Sequence, residues 1–241
     1  MSDRPIRISA LAVALSVLAI LSGTVHAAPI TTPAGISEGD SYRLIFRTSI
    51  GRDGTSGDIA DYNAFVTSVA NSVSELAALG TTWTAVVSTT GIDARDNTGT
   101  NPFADGVGEA IYLLDGMTKI ADNYADLWDG SIDSFLNIDE NGNFNGGGNT
   151  WTGSVIDGTK APYGGLGEAA YGYAGLPNAT NSNWMQAAAP ILTTELQFFA
   201  ISGVLPASSS SVPLPGTLAV LALGLAGMPA LRRRRTPVVK P

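Results

Sequence analysis

The chain has no cysteine, and its one histidine, His26, falls near the N-terminus before residue 28. Without thiols there is no disulfide framework, no thiolate nucleophile and no cysteine metal ligand. Without imidazole in the rest of the chain, Ser-His-Asp and Cys-His catalysis are excluded, as are the usual zinc, copper and non-haem iron sites. What remains is mainly oxygen chemistry, either carboxylate pairs of the glycosidase kind or a hard cation such as calcium. Positive charge is the next scarcity. Arg4, Arg7, Arg232, Arg233, Arg234, Arg235 and Lys240 lie at the two ends, so residues 28 to 211 hold six Lys+Arg against twenty Asp+Glu, a net charge of −14. Phosphate backbones and anionic lipid headgroups repel such a surface, which excludes a nucleic-acid partner.

The ends are of a different kind. Arg4 and Arg7 precede an apolar segment from Ile8 to Leu21, and Val25-His26-Ala27 supplies the small-x-small pattern of a signal peptidase site. Residues 1–27 therefore read as a secretory signal peptide, with an uncleaved N-terminal anchor as the alternative. At the other end, Val212-Pro213-Leu214-Pro215 precedes an uncharged run from Gly216 to Leu231, followed by Arg232, Arg233, Arg234 and Arg235. A proline turn, an apolar stretch and a basic cluster fit a C-terminal transmembrane helix whose arginines stay in the cytoplasm.

This three-part ending resembles the PEP-CTERM sorting signal of exported proteins in Gram-negative bacteria that make exopolysaccharide. There a Val-Pro-Glu-Pro-like motif precedes one hydrophobic helix and an arginine cluster, and a membrane protease, exosortase, is thought to cut near the motif. Leu214 stands where the family has an acidic residue, and the tail from Thr236 to Pro241 runs longer than the pattern requires. The simpler alternative is an ordinary membrane anchor. Either way, residues 28–205 are expected outside the cytoplasm.

Between the ends, Tyr42, Leu44 and Phe46 within Ser41 to Thr48 alternate as in a half-buried strand. Asp58 can cap a helix carrying Ile59, Tyr62, Phe65, Val66 and Val69, and Ser72 with Glu75 has capping-box spacing before a second helix that stops at Gly80. Thr82 to Ser88 reads as a strand. Ile111 to Leu114 and Met117 to Ile120 flank Asp115-Gly116 as in a tight hairpin. Residues 137–175, rich in glycine and asparagine, read as a long loop region. Glu195 to Ile201 closes the domain as a last strand, and residues 206–211 read as a linker.

The order of these elements, with Trp83-Thr84-Ala85, Ala125-Asp126-Leu127-Trp128-Asp129-Gly130, Asp139-Glu140-Asn141-Gly142-Asn143, Trp151-Thr152-Gly153 and Asn183-Trp184, resembles bacterial surface domains of unknown function related to C-type lectins. The resemblance implies a fold in which first and last strands pair, one or two helices pack on the sheet, and the long loops carry any binding. Family members commonly have cysteines near these tryptophans, and this chain has none. The sugar-chelating calcium motifs of the lectins are also missing: Leu176-Pro177-Asn178 and Asn183-Trp184-Met185 lack the required carboxylates.

Several local patterns carry chemistry. Asn137, Asp139, Asn141 and Asn143 place oxygen side chains at alternating positions with Gly142 sixth, as a calcium loop does, but the twelfth position is Gly148 rather than a bidentate carboxylate. A solvated Asx-turn loop is the competing reading. Trp128, Trp151 and Trp184 offer aromatic surface for a ligand, or else fill the core. Asp122, Asp126, Asp129 and Asp133 surround Trp128, either as an acidic sugar site or as turn caps. Gly165, Gly167 and Ala170 fit a dinucleotide fingerprint only loosely and read as a glycine-rich loop.

The sequence thus predicts an α+β, C-type-lectin-like exported domain with a mixed or antiparallel sheet, flanked by a signal peptide and a C-terminal anchor. Exosortase, the secretion machinery and either exopolysaccharide or a surface protein are the expected partners. No cofactor beyond calcium is implied, and a carboxylate-dependent glycoside hydrolase is the alternative function.

Overall fold

The computed structural model describes residues 29–168 and 170–207. The expected signal peptide, most of the linker and the sorting segment at 212–241 lie outside the described residues. Among the described residues, no helix is long and apolar enough to cross a membrane.

The architecture is mixed α and β, built on a curled mixed sheet of eight strands. In chain order these are β1 (Ser41–Arg47), β2 (Trp83–Ala85), β3 (Ala110–Leu113), β4 (Lys119–Ala121), β5 (Thr150–Trp151), β6 (Ala174–Gly175), β7 (Gln197–Ser202) and β8 (Leu205–Pro206). The helices are α1 (Ile59–Asn71), α2 (Ser74–Ala77), α3 (Ala94–Asn97) and α4 (Tyr124–Leu127), with a single 3₁₀ turn at Ser182–Trp184. The main path runs β4-β3-β1-β7-β5-β6. The first and last long strands, β1 and β7, pair antiparallel through Ile45 opposite Ile201 and Phe46 opposite Ala200, the pairing that the lectin-like resemblance implies. On its other edge β7 carries β5 in parallel along its first half and β2 antiparallel along its second.

Strand alternation sends side chains into two cores, one on each face. Leu44, Phe46, Phe198 and Ala200 meet Tyr62, Val66 and Val69 of α1, Leu76 of α2, Trp83 and Trp151. Ile45, Phe199 and Ile201 on the opposite face meet Ile111, Leu127, Trp128, Leu136, Trp184 and Met185. The predicted half-buried β1 is therefore corrected: every residue after Ser41 is buried, including Arg43 and Arg47. These arginines share the face of Ile45, and in the sequence they imitate a solvated side.

Asp58 caps α1 as predicted, accepting from Ala60 N at 2.9 Å. The Ser72–Glu75 capping box is not made. Ser72 ends α1 instead and donates its hydroxyl to Val69 O at 2.7 Å, leaving Val73 at the cap of α2. The tight hairpin at Asp115-Gly116 is also corrected, because β3 and β4 are joined by the longer loop 114–118. Asp115 accepts from the amides of Met117 and Thr118 and from the Thr118 hydroxyl. The N-terminal segment also docks there, with Ile30 N donating to Leu114 O and Ala34 N to Gly116 O. Pro206, predicted to begin a linker, instead ends β8 opposite Ser41, where its missing N–H is harmless at a strand terminus.

Candidate functional site

A buried cation ties residues 145–150 of the loop region to the sheet. Arg47 at the end of β1 is fully buried, and its guanidinium makes five hydrogen bonds. Nε donates to Thr150 Oγ1 at 2.7 Å, Nη1 to Asn145 O and Oδ1, and Nη2 to Asn149 O and Gln197 Oε1. None of these acceptors is a carboxylate. Burial lowers the Arg47 pKa to about 10, and the acceptor dipoles stand in for a counter-ion. Asn145 completes the attachment by donating from Nδ2 to Thr48 O at 3.0 Å.

The predicted calcium loop is arranged as a turn. Asp139 Oδ1 accepts from the amides of Asn141 and Asn143, each at 2.9 Å, while Asp139 N donates to Asn143 O. Asn137 is turned toward Asn178, and Glu140, 3% exposed, accepts from Ser49 N at 2.8 Å and from the Ser49 hydroxyl. The one carboxylate of the motif already holds two amide hydrogens, and its acidic neighbour is committed to Ser49, just past β1. This donor set is arranged as a self-closed Asx turn. Among the described residues, no group of three or more acidic side chains is placed to hold a metal ion.

The three tryptophans do not form a surface platform. Trp151 and Trp184 are 0% exposed and Trp128 is 6% exposed. Trp128 stacks on Trp184 with ring centroids 5.7 Å apart, and its indole N–H donates to Thr100 O and Oγ1. Trp151 donates to Thr194 O at 3.2 Å. Their positions in two cores, on either face of the sheet, explain why they share a loop-rich sequence without sharing a site.

The acids around Trp128 serve turns. Asp129 accepts from Ser131 N, Asp126 accepts from Asp122 N at 2.6 Å, and Asp122 pairs with Lys119. Asp133 is exposed, and its pKa is raised by partial desolvation and then by the like charges of Asp126 and Asp122. Only the edge of Trp128 reaches a cleft of about 340 Å³, lined also by Phe103, Arg95, Asp129 and Asp157. Asp157 accepts from Thr159 N at 2.9 Å, so both acids of this cleft sit in hydrogen-bonded turns.

A larger pocket of about 490 Å³ opens on the same loop region, lined by Val155, Pro162, Tyr173, Gln186 and the alanines at 187 to 189. Sequence reasoning missed both Arg47 and Gln186. An arginine on the partner face of an otherwise apolar strand was the available signal for the first. For Gln186 no local pattern existed.

No family model matches this chain, and no curated protein matches it.

Proposed function

We propose that this is an exported cell-envelope or extracellular-matrix protein, sorted by its PEP-CTERM-like ending, whose lectin-like domain contacts exopolysaccharide or a surface partner through the loops from 137 to 184. The observation that carries the reading is the Arg47 attachment, which ties residues 145–150 of the loop region to a sheet whose first and last strands pair. A preformed loop face is what a binding module needs, because ordering the loops on contact would cost affinity.

The carboxylates favour binding over hydrolysis. A glycosidase needs two acids about 5 to 9 Å apart with free oxygens facing a cleft. Here Asp115, Asp129, Asp139 and Asp157 each accept hydrogen bonds from residues two or more places along their own turns. The hydrolase alternative expects its paired acids between Asp115 and Asp139; of these Asp129 lines a cleft beside Trp128, together with Asp157. It predicts release of reducing ends from the producer's polysaccharide, lost on Asp129→Asn.

The test of the main reading has two parts. Cell fractionation and intact mass of the mature form are expected to show loss of residues 1–27 and export of the domain. Loss of residues beyond Pro215 would indicate processing at the sorting motif. The full-length protein in detergent is then expected to be retained by the producer's own polysaccharide. A cytosolic protein with both ends intact would overturn the reading.

A further inference from the structure

The cleft of about 340 Å³ beside Trp128 has apolar walls at Pro102, Phe103 and Ala125, with Asp129, Asp157 and Arg95 as its charged lining. Phe103 is 87% exposed, and the loop that carries it is closed on itself. Asn101 Oδ1 accepts from Phe103 N at 3.0 Å, Asn101 O accepts from Ala104 N and Asp105 N, and Asp105 Oδ2 accepts from Asn101 N at 2.8 Å. A ring presented from a fixed turn binds without first having to be ordered.

The two carboxylates are also fixed, each by one oxygen. Ser131 N and its hydroxyl donate to Asp129 Oδ1, and Thr159 N and its hydroxyl donate to Asp157 Oδ1. Both aspartates are exposed, and among the described residues Oδ2 of neither has a hydrogen-bond partner.

Charge selects the occupant. Arg95 is the only cation among the lining residues, and Asp93 Oδ2 lies 4.0 Å from its Nη2. Asp96 and Asp105, which both bond Asn101 in the same loop, add to Asp129 and Asp157, so the surroundings are net negative. A uronate or phosphate is repelled there, as it is by the −14 of residues 28–211 as a whole. An ammonium is attracted. The Phe103 ring already takes one cation, with Arg95 Cζ 5.8 Å from its centre. An extended peptide finds no ladder to join, because the amides of Asn101, Phe103, Ala104 and Asp105 are bonded within the turn. A pyranose that carries an amino group suits this lining, with its C–H face on the aromatic ring and its ammonium on a carboxylate.

We infer that this cleft is a subsite for one aminohexose unit of a cationic glycan, the sugar's C–H face against Phe103 and its ammonium at the carboxylates of Asp129 and Asp157. The inference rests on the reading of the domain as a polysaccharide-contacting module and adds the place and the sugar class.

The test is titration calorimetry of the full-length protein in a detergent without a sugar headgroup, at mildly acidic pH where amines are charged and aspartates ionised. The probes are a glucosamine tetramer with free amines, the same tetramer fully N-acetylated, and tetralysine. The free-amine tetramer is expected to bind most tightly and to weaken between about 0.01 and 0.15 M salt, as the screening length falls from about 30 to about 8 Å. Phe103→Ser, Asp129→Asn and Asp157→Asn are each expected to weaken it about three- to fivefold, the scale of one exposed cation–π or ion-pair contact. Tm should hold, since Phe103 is exposed and asparagine keeps the Oδ1 that each turn uses. Asp133→Asn removes the same charge outside the cleft and is expected to leave binding unchanged. Equal binding of the acetylated tetramer, cleft variants no weaker than Asp133→Asn, or cleavage of the tetramer would each overturn the subsite. Tetralysine bound more tightly than the sugar, and weakened by the cleft variants, would overturn it in favour of a basic protein partner. If the producer's polysaccharide were retained equally by wild type and cleft variants, the subsite would fall and the broader reading would stand. If wild type bound the free-amine tetramer but not the polysaccharide, the subsite would stand and the broader reading would fall.

Discussion

Arg47 and Asp115 show how single side chains hold irregular chain in place. Arg47→Met keeps much of the apolar stem but strips five donors from Thr150, Asn145, Asn149 and Gln197. Unsatisfied buried acceptors cost about 1 to 3 kcal/mol each, with partial relief as water enters, so a loss of at least about 3 kcal/mol is expected in urea unfolding. Arg47→Lys should recover only part, since an ammonium cannot reproduce the planar fork. Hydrogen exchange should rise in residues 137–150 well before it rises in α1. Uniform exchange across both would show that Arg47 supports the core rather than the loops. Asp115 makes a pH-dependent contribution. Burial pushes its pKa up, but the Thr118 hydroxyl and the amides of Thr118 and Met117 outweigh this and hold it below the usual carboxylate value. Its stabilisation is therefore complete above the unfolded value near 4 and is lost as pH falls through the lower folded value. Asp115→Asn is expected to be less stable at pH 7 and to show a shallower acid limb in thermal unfolding between about pH 5 and 2.

Among the elements, those with long periods were legible and those made by their partners were not. Helix α1 was legible because its apolar residues recur at helical spacing after a capping aspartate, and β1 and β7 because six or seven residues alternate with β-formers. Strands β5, β6 and β8 are two residues each, and only pairing with β7, β5 and β1 respectively makes them strands. The second buried face of β1 was hidden by Arg43 and Arg47, whose heads are held inside the protein, fully hydrogen-bonded for Arg47 and with Nε unpaired for Arg43. Arg43 donates to Thr98 O at 2.7 Å and lies 5.2 Å from the ring centre of Tyr124. At the site, the turn role of Asp139 was legible in the Asp139-Glu140-Asn141-Gly142 run, whereas the pocket joins residues up to 34 positions apart, Val155 to Ala189, through contacts no local pattern records. Gly175 in β6 shows the same dependence. A Cβ there would lie 1.7 Å from Trp184 O, so the strand can approach the 3₁₀ turn only with glycine present. Gly175→Ala is expected to destabilise by more than about 2 kcal/mol in chemical unfolding and to quench or shift the Trp184 signal. An unchanged midpoint would mean that β6 and the turn can part without cost.

At the scale of the whole molecule the dominant quantity is the charge of −14 on residues 28–211, which works against compactness at neutral pH. Asp133 reports that repulsion locally. Its folded-state pKa is raised, first by partial desolvation and then by Asp126 and Asp122, with Lys119 opposing them. A carboxyl whose folded value lies above its unfolded value adds stability at low pH, where it is protonated, and loses that contribution as pH rises through the folded value. At pH 7 Asp133 is thus ionised against its surroundings, and Asp133→Asn should raise Tm. Because the side chain is exposed, the gain should shrink in salt as the screening length falls from about 30 Å at 0.01 M to about 8 Å at 0.15 M. Below about pH 3, where the aspartate is already neutral, variant and wild type should melt together. Thermal unfolding at two pH values and two salt concentrations decides the matter, and a gain that persists in high salt would place its origin in desolvation of the carboxylate instead of repulsion by Asp126 and Asp122.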